Sequence, residues 1–563
     1  LARVRGQKRQ PVLIRYLAVP PFIQLPCLKM EIIANKGLYA PHEPIDLTIM
    51  CEDDTDTFFV EIYSLNKRIK QFHVRRAGRI TKLVLPPFPC EFGGFGVVCT
   101  ADTTAQCSTA FDVQDSRRVF RYGFLSDFSE NDRDNSDILC LAKHHVNAVQ
   151  FYDWAYRHDT LVAHQDEYAD LMGKRNSLTT IRGKISECQN RGMLALGYGA
   201  VYAASEAFAQ EHGAWRLYSG KEPIRFINVF SLMNLRSPWR QHIIEQYRQA
   251  VQLVGFDGIH MDTYGFPKTA FDSKGKVIHI EEDFPALIAE TRLCLPNACL
   301  VFNNVGGWPL EETMWTETDA VYVEVWPPFE TYGQIKALIL KAKEAQKPVV
   351  LAAYPAFFRT EEAERALNAQ LVLMSAIAAH GATQLWFGEE NAAITQGYYA
   401  DYSLLSKEQE LLLRRYDDFF VRYEELFYDD SLKDVSMTHF GWDNEEYRCN
   451  AAASVDGSPD KLWLILREGN GKKLISIVNL YGDSSNQWAK GRDDASVQRN
   501  IELLVQVFGK IKTVFTASPD FDNGNAVACS HEIALGDRSP VLKIDLPQIQ
   551  HFAMIYIETE ETQ

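Results

Sequence analysis

The sequence predicts a multidomain protein in which a central (β/α)8 TIM barrel is flanked by an N-terminal immunoglobulin-like β-sandwich and a C-terminal β-sandwich. Three observations support this prediction. The chain has 563 residues, whereas a single hydrophobic core stops growing near about 300 residues. Strand-like apolar runs alternate with helical stretches in the middle of the chain, and that alternation is typical of a parallel barrel. Both ends carry short β-type runs with few helical stretches, which is typical of sandwiches.

The N-terminal part divides into an extension over residues 1–29 and the predicted immunoglobulin-like sandwich over residues 30–117. Short β-type runs such as Phe58–Tyr63 and Leu83–Leu85 alternate there with proline and glycine clusters. The glycine-rich piece Phe92–Gly96 is interpreted as a turn between strands, because a phosphate-binding loop needs a following helix and none is predicted.

The barrel is predicted over residues 118–430. Its helices carry boundary signals: Thr179–Arg191 is followed by Gly192, and Trp239–Leu253 follows a serine and a proline. A doubly wound open sheet is the alternative, but eight runs in about 300 residues favour closure. The eight runs are Tyr122–Leu125, Val146–Phe151, Met193–Tyr198, Gly258–Met261, Leu300–Asn303, Ala320–Val323, Val349–Tyr354 and Gln384–Phe387.

The C-terminal β-sandwich is predicted over residues 431–563. The runs Leu462–Leu466 and Leu474–Val478 enclose Gly469-Asn470-Gly471, which is a hairpin signal. Further β-type runs follow up to Phe552–Ile557.

The composition excludes several classes of function. A net charge of -16 argues against a nucleic-acid partner, which requires a basic surface. No run approaches the ~20 apolar residues of a membrane span. The 11 cysteines lack CxxC spacing, and neither a phosphate loop, a GxSxG elbow nor an HExxH helix occurs. We therefore expect no metal, no cofactor and no protein partner.

Two acids end two of the predicted barrel strands. Asp262 follows the fourth run and Glu324 follows the sixth. The carboxyl ends of barrel strands meet at the face where barrel enzymes carry out catalysis. Glycoside cleavage uses two carboxyl groups, so Asp262 and Glu324 are the candidate catalytic residues.

Aromatic and polar residues cluster at the same strand ends. Sugars are bound by aromatic faces together with a few placed polar groups. Alternation along a strand also puts His260 and Tyr322 on the same inward face as the two acids. The predicted substrate-binding residues are Tyr152, Asp153, Trp154, Tyr198, His260, Tyr264, Asn303, Tyr322 and Trp326.

Five segments of the predicted barrel carry a family resemblance: Arg121–Leu125, Asn147–Trp154, Gly197–Ala203, Phe256–Asp262 and Val321–Trp326. Together they resemble glycoside hydrolase family 66, the family of endo-dextranases and cycloisomaltooligosaccharide glucanotransferases. The resemblance implies a retaining double displacement on α-1,6-linked glucan, with Asp262 as nucleophile, Glu324 as acid/base and Asp153 binding sugar hydroxyls. The residues around Asp262 depart from the family's usual version.

The favoured function is endo-hydrolysis of dextran to isomaltooligosaccharides, because the barrel rhythm contains no additional β-rich block of ~90 residues such as the cyclising enzymes carry. A cycloisomaltooligosaccharide glucanotransferase and a non-catalytic glucan-binding protein remain alternatives. Dextran is too large to enter a cell intact, so we expect an extracellular protein although no export signal is present in this chain. The scattered free cysteines leave an intracellular role open.

Overall fold

The computed structural model describes residues 30–102, 105–397, 401–535 and 540–560. The predicted extension over residues 1–29 lies outside the described residues. Within the described part the protein is mostly sheet, with one parallel eight-stranded sheet and several antiparallel ones. No helix in these ranges is both long enough and apolar enough to cross a lipid bilayer.

The parallel sheet forms a nearly closed barrel. Its strands lie side by side in chain order from the first to the eighth, as the eight apolar runs predicted. We label them β1 (Tyr122–Leu125), β2 (Ala148–Phe151), β3 (Leu194–Ala200), β4 (Gly258–Asp262), β5 (Cys299–Val305), β6 (Ala320–Glu324), β7 (Val349–Ala352) and β8 (Thr383–Gln384).

The eighth strand is shorter than predicted and differently placed. The run Gln384–Phe387 was expected to be a strand, but β8 stops at Gln384. The backbone N–H of Ile394 donates to the carbonyl of Trp386, and Phe387 bridges Ala393 in antiparallel fashion. The chain therefore leaves the barrel here to pair with the strand Ala392–Gln396.

No backbone ladder joins β8 to β1 among the described residues. Side chains connect the two strands instead. The Thr383 hydroxyl donates to the carbonyl of Phe120. Just beyond the strand ends, the Glu389 carboxylate accepts the backbone N–H groups of Ser126 and Asp127 and the Ser126 hydroxyl. These contacts hold the two edges of the sheet together.

Helices surround the barrel on its outer face. The predicted helix at Thr179 spans Leu178–Asn190, where the Ser177 side chain caps the first turn and Gly192 takes a φ of 69° after the end. The predicted helix at Trp239 is α-helical only to Gln249 and continues as a π-helix over Ala250–Val254. The other main helices are Ser136–Lys143, Phe284–Cys294, Tyr332–Lys343, Ala363–Ala379 and Lys407–Arg422, with short ones at Glu206–Glu211, Leu310–Thr313, Phe357–Thr360, Glu424–Phe427 and Ser436–His439.

Two long connections after β3 and β4 carry small antiparallel sheets. One consists of Ala203–Ser205, Phe230–Leu232 and Arg225–Phe226. The other contains Tyr218–Ser219, Glu222–Pro223, Thr269–Phe271 and Val277–His279. A separate hairpin after β2 pairs Glu167–Ala169 with Arg175–Ser177.

The N-terminal region has two antiparallel sheets whose apolar faces share one core. The larger sheet holds Lys67–Arg75, Thr57–Ser64, Phe92–Ala101 and Gln106–Gln114 in that order, and the smaller holds Met30–Ala34, Ile45–Cys51 and Ile80–Leu85. Alternate residues of both sheets lie in this core, such as Leu47 on the smaller sheet and Val60 on the larger one. The immunoglobulin-like topology remains a prediction.

The interpretation of Phe92–Gly96 as a turn is wrong, because this piece begins the strand Phe92–Ala101. The glycines have a packing reason. A Cβ atom on Gly94 would collide with the backbone at Val421 and Arg422, and one on Gly96 would collide with the Arg422 guanidinium. The strand therefore lies directly against the helix Lys407–Arg422 of the barrel.

The C-terminal region also has two sheets around one core, and both are antiparallel except where Ala453–Ser454 pairs in parallel with Leu462–Gly469. The Gly469-Asn470-Gly471 signal marks a hairpin, since Leu462–Gly469 pairs with Lys472–Asn479. The first sheet further contains Phe552–Thr559, Ile511–Ala517, Val527–Ala528, Lys433–Asp434 and Ala453–Ser454, and the second contains Tyr447–Cys449, Gln498–Gln506, Pro540–Ile549 and Ser530–Leu535.

A buried arginine ties the N-terminal sheets to the barrel. Arg121, just before β1, donates to both oxygens of Asp112 at 2.9 and 2.8 Å and to Glu424 at 3.1 Å. Asp112 belongs to the N-terminal strand Gln106–Gln114, and Glu424 begins a short helix after the barrel. One guanidinium therefore neutralises acids from two separate parts of the chain.

Candidate functional site

A cavity of about 520 Å³ opens at the carboxyl ends of the barrel strands. Its floor is formed by the strand ends, and one wall comes from the long connections after β3 and β4. It is lined by Phe124, Gln150, Tyr152, Asp153, His158, Met172, Tyr198, Phe226, Ile227, Phe230, His260, Asp262, Thr263, Tyr264, Phe266, Asn303, Val305, Tyr322, Glu324, Trp326, Tyr354, Gln396 and Gly397.

The two candidate catalytic acids meet in this cavity through a shared donor. Asp262 is the last residue of β4 and Glu324 is the last residue of β6. Between them, the side-chain amide of Asn303 on β5 donates to Asp262 Oδ1 at 2.7 Å and to Glu324 Oε2 at 3.1 Å. Since one nitrogen reaches both oxygens, these two oxygens lie no more than about 5.8 Å apart.

This spacing suits one of the two stereochemical classes of glycosidase. Retaining enzymes hold their carboxyl groups about 5 to 5.5 Å apart, whereas inverting enzymes need about 6.5 to 9.5 Å to admit a water molecule. The bound on the distance from Asp262 Oδ1 to Glu324 Oε2 lies below the range of the inverting class, and the catalytic roles of the two acids stay predictions.

The environment raises the pKa of both acids. Burial, followed by repulsion from Glu324, raises the pKa of Asp262 to about 7, although hydrogen bonds from Asn303 and Tyr198 act in the opposite direction. Burial also raises the pKa of Glu324 against the hydrogen bonds from Asn303, Trp326 and Tyr354. Two acids this close do not both ionise readily, so the pair tends to keep one proton.

Below the acids, aromatic rings and a histidine fill the barrel. The Tyr122 hydroxyl and His260 Nδ1 lie 2.9 Å apart, and the Tyr322 ring meets the His260 ring edge to face at 4.8 Å. Burial lowers the pKa of His260 to about 3, so its imidazole is neutral near pH 7. His260 lines the cavity, and its Nε2 has no hydrogen-bond partner among the described residues, which leaves this atom available for a hydroxyl group or water molecule.

Tyr152 and Asp153 lie at the end of β2. Both line the cavity, and Asp153 adopts a left-handed φ of 52°. Burial raises the pKa of Asp153 to about 7, with Lys174 acting in the opposite direction. A non-glycine residue in this conformation is uncommon and is often found at functional sites.

Trp154 is the one predicted substrate-binding residue that the structure places away from the cavity. Its side chain is completely buried, its ring packs on Phe256, and its indole N–H donates to the carbonyl of Tyr198 at 3.0 Å. Residues two apart on an extended segment share a face, but the left-handed Asp153 turns the chain, so that Tyr152 lines the cavity and Trp154 does not. The prediction for Trp154 is corrected to a packing role.

The remaining predicted residues border the cavity. Tyr198 and Tyr264 flank Asp262, and Trp326 lies at the rim with 39% of its surface exposed. Tyr322 lines the floor, and Tyr354 links it to Glu324. Their roles in binding sugar stay predictions.

Sequence reasoning missed several lining residues, because they lie on connections without a regular pattern. His158 lies beyond β2, and Phe226 and Phe230 lie on the small sheet after β3. The phenylalanine pair in an otherwise irregular stretch is the only signal that could have indicated them. Gln150, two residues before Tyr152, could have been found from the two-residue period of β2.

Within the described ranges, no three His, Cys, Asp or Glu side chains are grouped so that they could hold a metal ion. The chemical groups that the chain itself brings to the cavity are carboxyl, phenol hydroxyl, amide, imidazole and aromatic groups.

Comparisons with known proteins point to one family. The sequence model of Glycosyl hydrolase family 66 matches residues 34–556. Two cycloisomaltooligosaccharide glucanotransferases of Niallia circulans are similar: one is 31% identical over 47% of this chain and 31% of its own length, and the other is 20% identical over 94% and 71%. A dextranase of Streptococcus salivarius is 21% identical over 58% of this chain and 46% of its own.

Solved structures show the same fold. The crystal structure of a Paenibacillus sp. cycloisomaltooligosaccharide glucanotransferase complexed with cycloisomaltoheptaose superposes with a TM-score of 0.86 at 21% identity, covering 93% of this chain and 99% of that one. The matches cover less than half the length of the first glucanotransferase and of the dextranase. Because the family model matches nearly all of the chain, this protein belongs to glycosyl hydrolase family 66, a family of glycosidases.

Proposed function

We propose that this chain cuts internal α-1,6-glucosidic bonds of dextran by a retaining double displacement. The observation that carries the proposal is the pair Asp262 and Glu324, held on one Asn303 amide at the floor of the barrel cavity. The names of the similar proteins, which include dextranase and cycloisomaltooligosaccharide glucanotransferase, support a glucan as substrate.

In the first step the Asp262 carboxylate attacks the anomeric carbon. Glu324 donates its proton to the departing glycosidic oxygen, so that the bond breaks as a covalent glucosyl–Asp262 ester forms. In the second step Glu324, now ionised, takes a proton from water, and the hydroxide attacks the anomeric carbon and releases Asp262. Two inversions restore the α configuration.

Burial raises the pKa of Glu324, and a raised pKa favours its role as proton donor. Three donors favour the ionised form of Asp262: the Asn303 amide, the Tyr198 hydroxyl and the Thr263 backbone N–H. These contacts support attack by Asp262 once Glu324 holds the shared proton.

Hydrolysis is favoured over cyclisation by the layout of the barrel. The small sheets on the connections after β2, β3 and β4 are built only from two- and three-residue strands within the described residues. The second Niallia circulans glucanotransferase aligns over 703 positions, more than the residues of this chain, so that relative has segments without a counterpart here. If those segments hold glucan in the relative, this chain has less means of retaining the far end of a glucan for ring closure.

Digestion of dextran tests the proposal. We expect size-exclusion chromatography to show early loss of long chains, with one new reducing end for each bond cut. The variants Asp262→Gly and Glu324→Gln should each lose activity by at least about a thousandfold while remaining folded. Asp319→Asn, which changes an acid at the opposite end of β6, is the matched control and should keep activity.

Other outcomes identify the alternatives. Shortening of dextran without new reducing ends, with ring-shaped products, would identify a cyclising glucanotransferase. Retention of dextran without any shortening would identify a glucan-binding protein. Export of the protein is proposed from the size of dextran, and recovery of activity from the culture medium rather than from cells is the corresponding measurement.

A further inference from the structure

One tight turn on the cavity wall has an unfavourable residue. The strands Arg225–Phe226 and Phe230–Leu232 form a hairpin whose tip holds Ile227 and Asn228. Both residues have left-handed backbone angles, with φ of 46° and 60°. The backbone N–H of Val229 donates to the carbonyl of Phe226 at 3.1 Å, which closes a four-residue turn with both central residues left-handed.

Isoleucine is poorly suited to this position. Turns of this type are dominated by Asn, Asp and Gly, because the left-handed region brings a branched side chain close to the backbone. Asn228 fits that preference and Ile227 does not. Asparagine or glycine at position 227 would relieve the backbone strain. The presence of isoleucine there instead suggests that its side chain has a role in function.

The Ile227 side chain borders the catalytic cavity and 38% of its surface is exposed. Three other large apolar side chains that line the same cavity are equally open: Phe266 at 39%, Met172 at 48% and Trp326 at 39%. Exposed apolar side chains around a cavity mark binding surfaces more often than scattered ones do. We call these four residues the apolar rim.

Aromatic stacking ties the hairpin to the residues beside the acids. The Phe226 ring stacks on Tyr264 with centroids 4.3 Å apart, and Tyr264 lies two residues beyond Asp262. The Phe230 ring stacks on His158 with centroids 4.3 Å apart and planes 4° from parallel. The tip is therefore held at a set place relative to the acids.

We propose that Ile227 is a specificity-determining residue that contacts glucose units beyond those held at Asp262 and Glu324, so that it favours long over short α-1,6-glucans. This inference rests on the proposed function. An isoleucine side chain donates and accepts no hydrogen bond, so we expect it to contribute apolar contact with the C–H faces of sugar rings at the rim of the cavity.

Substitution of Ile227 by asparagine, which this type of turn favours, distinguishes the effect of backbone strain on stability from the effect of the side chain on binding. Affinities are measured by titration calorimetry with Glu324→Gln protein, which does not turn over the ligand. The ligands are isomaltotriose and an isomaltooligosaccharide of about eight units. With Ile227→Asn added, we expect roughly tenfold weaker binding of the longer ligand, less than about twofold change for isomaltotriose, and a higher melting temperature because strain is relieved.

Two further variants serve as controls. Ile80→Asn makes the same chemical change at an exposed position that begins the N-terminal strand Ile80–Leu85, and it should neither alter the affinities nor raise the melting temperature. Ile227→Val keeps both the branched apolar side chain and the strain, so it should bind both ligands much as the parent does.

Each contrary result has one meaning. Unchanged binding of the longer ligand by Ile227→Asn, or an equal loss for both ligands, overturns the length preference and leaves the proposed function intact. A fall in melting temperature overturns the strain argument. Failure of the Glu324→Gln protein itself to bind either oligosaccharide overturns the proposed function, and the role of Ile227 with it.

Discussion

Asn303 donates two hydrogen bonds from one amide nitrogen, one to each candidate acid. Both bonds favour the ionised forms of Asp262 and Glu324, because an N–H donor stabilises a carboxylate. The residue was predicted to bind substrate, but its position between the acids depends on the pairing of β5 with β6, in which Asn303 lies opposite Tyr322. That register is not readable from spacing along the chain.

Replacement of Asn303 tests whether its hydrogen bonds lower the pKa of Asp262 and Glu324. In Asn303→Leu the pKa of both acids rises further, since burial is then opposed by fewer donors. The nucleophile ionises at higher pH and the acid keeps its proton to higher pH, so both limbs of the bell-shaped profile of kcat/KM on dextran should move upward. The maximum should fall about ten- to a hundredfold.

The neighbouring amide provides the control. Asn304 donates to backbone carbonyls of Phe302 and Tyr322 and lies outside the cavity. Asn304→Leu should lower the melting temperature and leave the pH limbs in place. If the pH profile of kcat/KM of Asn303→Leu is unchanged or shifts to lower pH, the Asn303 amide does not lower the pKa of the two acids.

At the scale of elements, the periodic parts of the chain were predictable and the irregular parts were not. The apolar runs at β1 to β7, the helix end before Gly192 and the helix start at Trp239 follow from patterning and boundary residues. The eighth strand shows where prediction from patterning fails. Leu385, Trp386 and Phe387 are apolar and buried, as the residues of a barrel strand are, but they lie beyond the end of β8. The apolar run reflects the burial of these residues. Their backbone pairs with the later strand Ala392–Gln396 and not with the barrel.

The junction of β8 with β1 depends on Glu389. In Glu389→Ala the partly buried backbone N–H groups of Ser126 and Asp127 lose their acceptor, and we expect the free energy of unfolding to fall by about 1 to 3 kcal/mol. Urea denaturation measures this. The control is Glu408→Ala, which changes an exposed acid on the helix Lys407–Arg422 and should alter the free energy of unfolding by less than about 0.5 kcal/mol. An equally small effect of Glu389→Ala would mean that the junction does not depend on the Glu389 carboxylate.

For the whole molecule, the order of a barrel between two β regions could be predicted, because hydrophobic periodicity changes twice along the chain. The contacts between regions could not. Arg121 joins Asp112 to Glu424, which lie far apart along the chain, and Gly94 is required by a helix packed against its strand. Such contacts arise from folding in three dimensions and leave no local signal.

The same holds for the candidate site. Asp262 and Glu324 were found because barrel strands deliver their last residues to one face. The correction at Trp154 and the hairpin carrying Ile227 come from single left-handed backbone positions, which a search for periodicity does not detect.

The central claim is that Asp262 and Glu324 carry out a retaining double displacement on an α-1,6-glucan. Proton NMR of the first reducing ends released from dextran, recorded before mutarotation, tests it most directly. The account predicts the α anomer in the earliest spectra, with the β anomer growing in later. Release of the β anomer first would contradict it, because that product arises from a single inversion by water and not from two displacements.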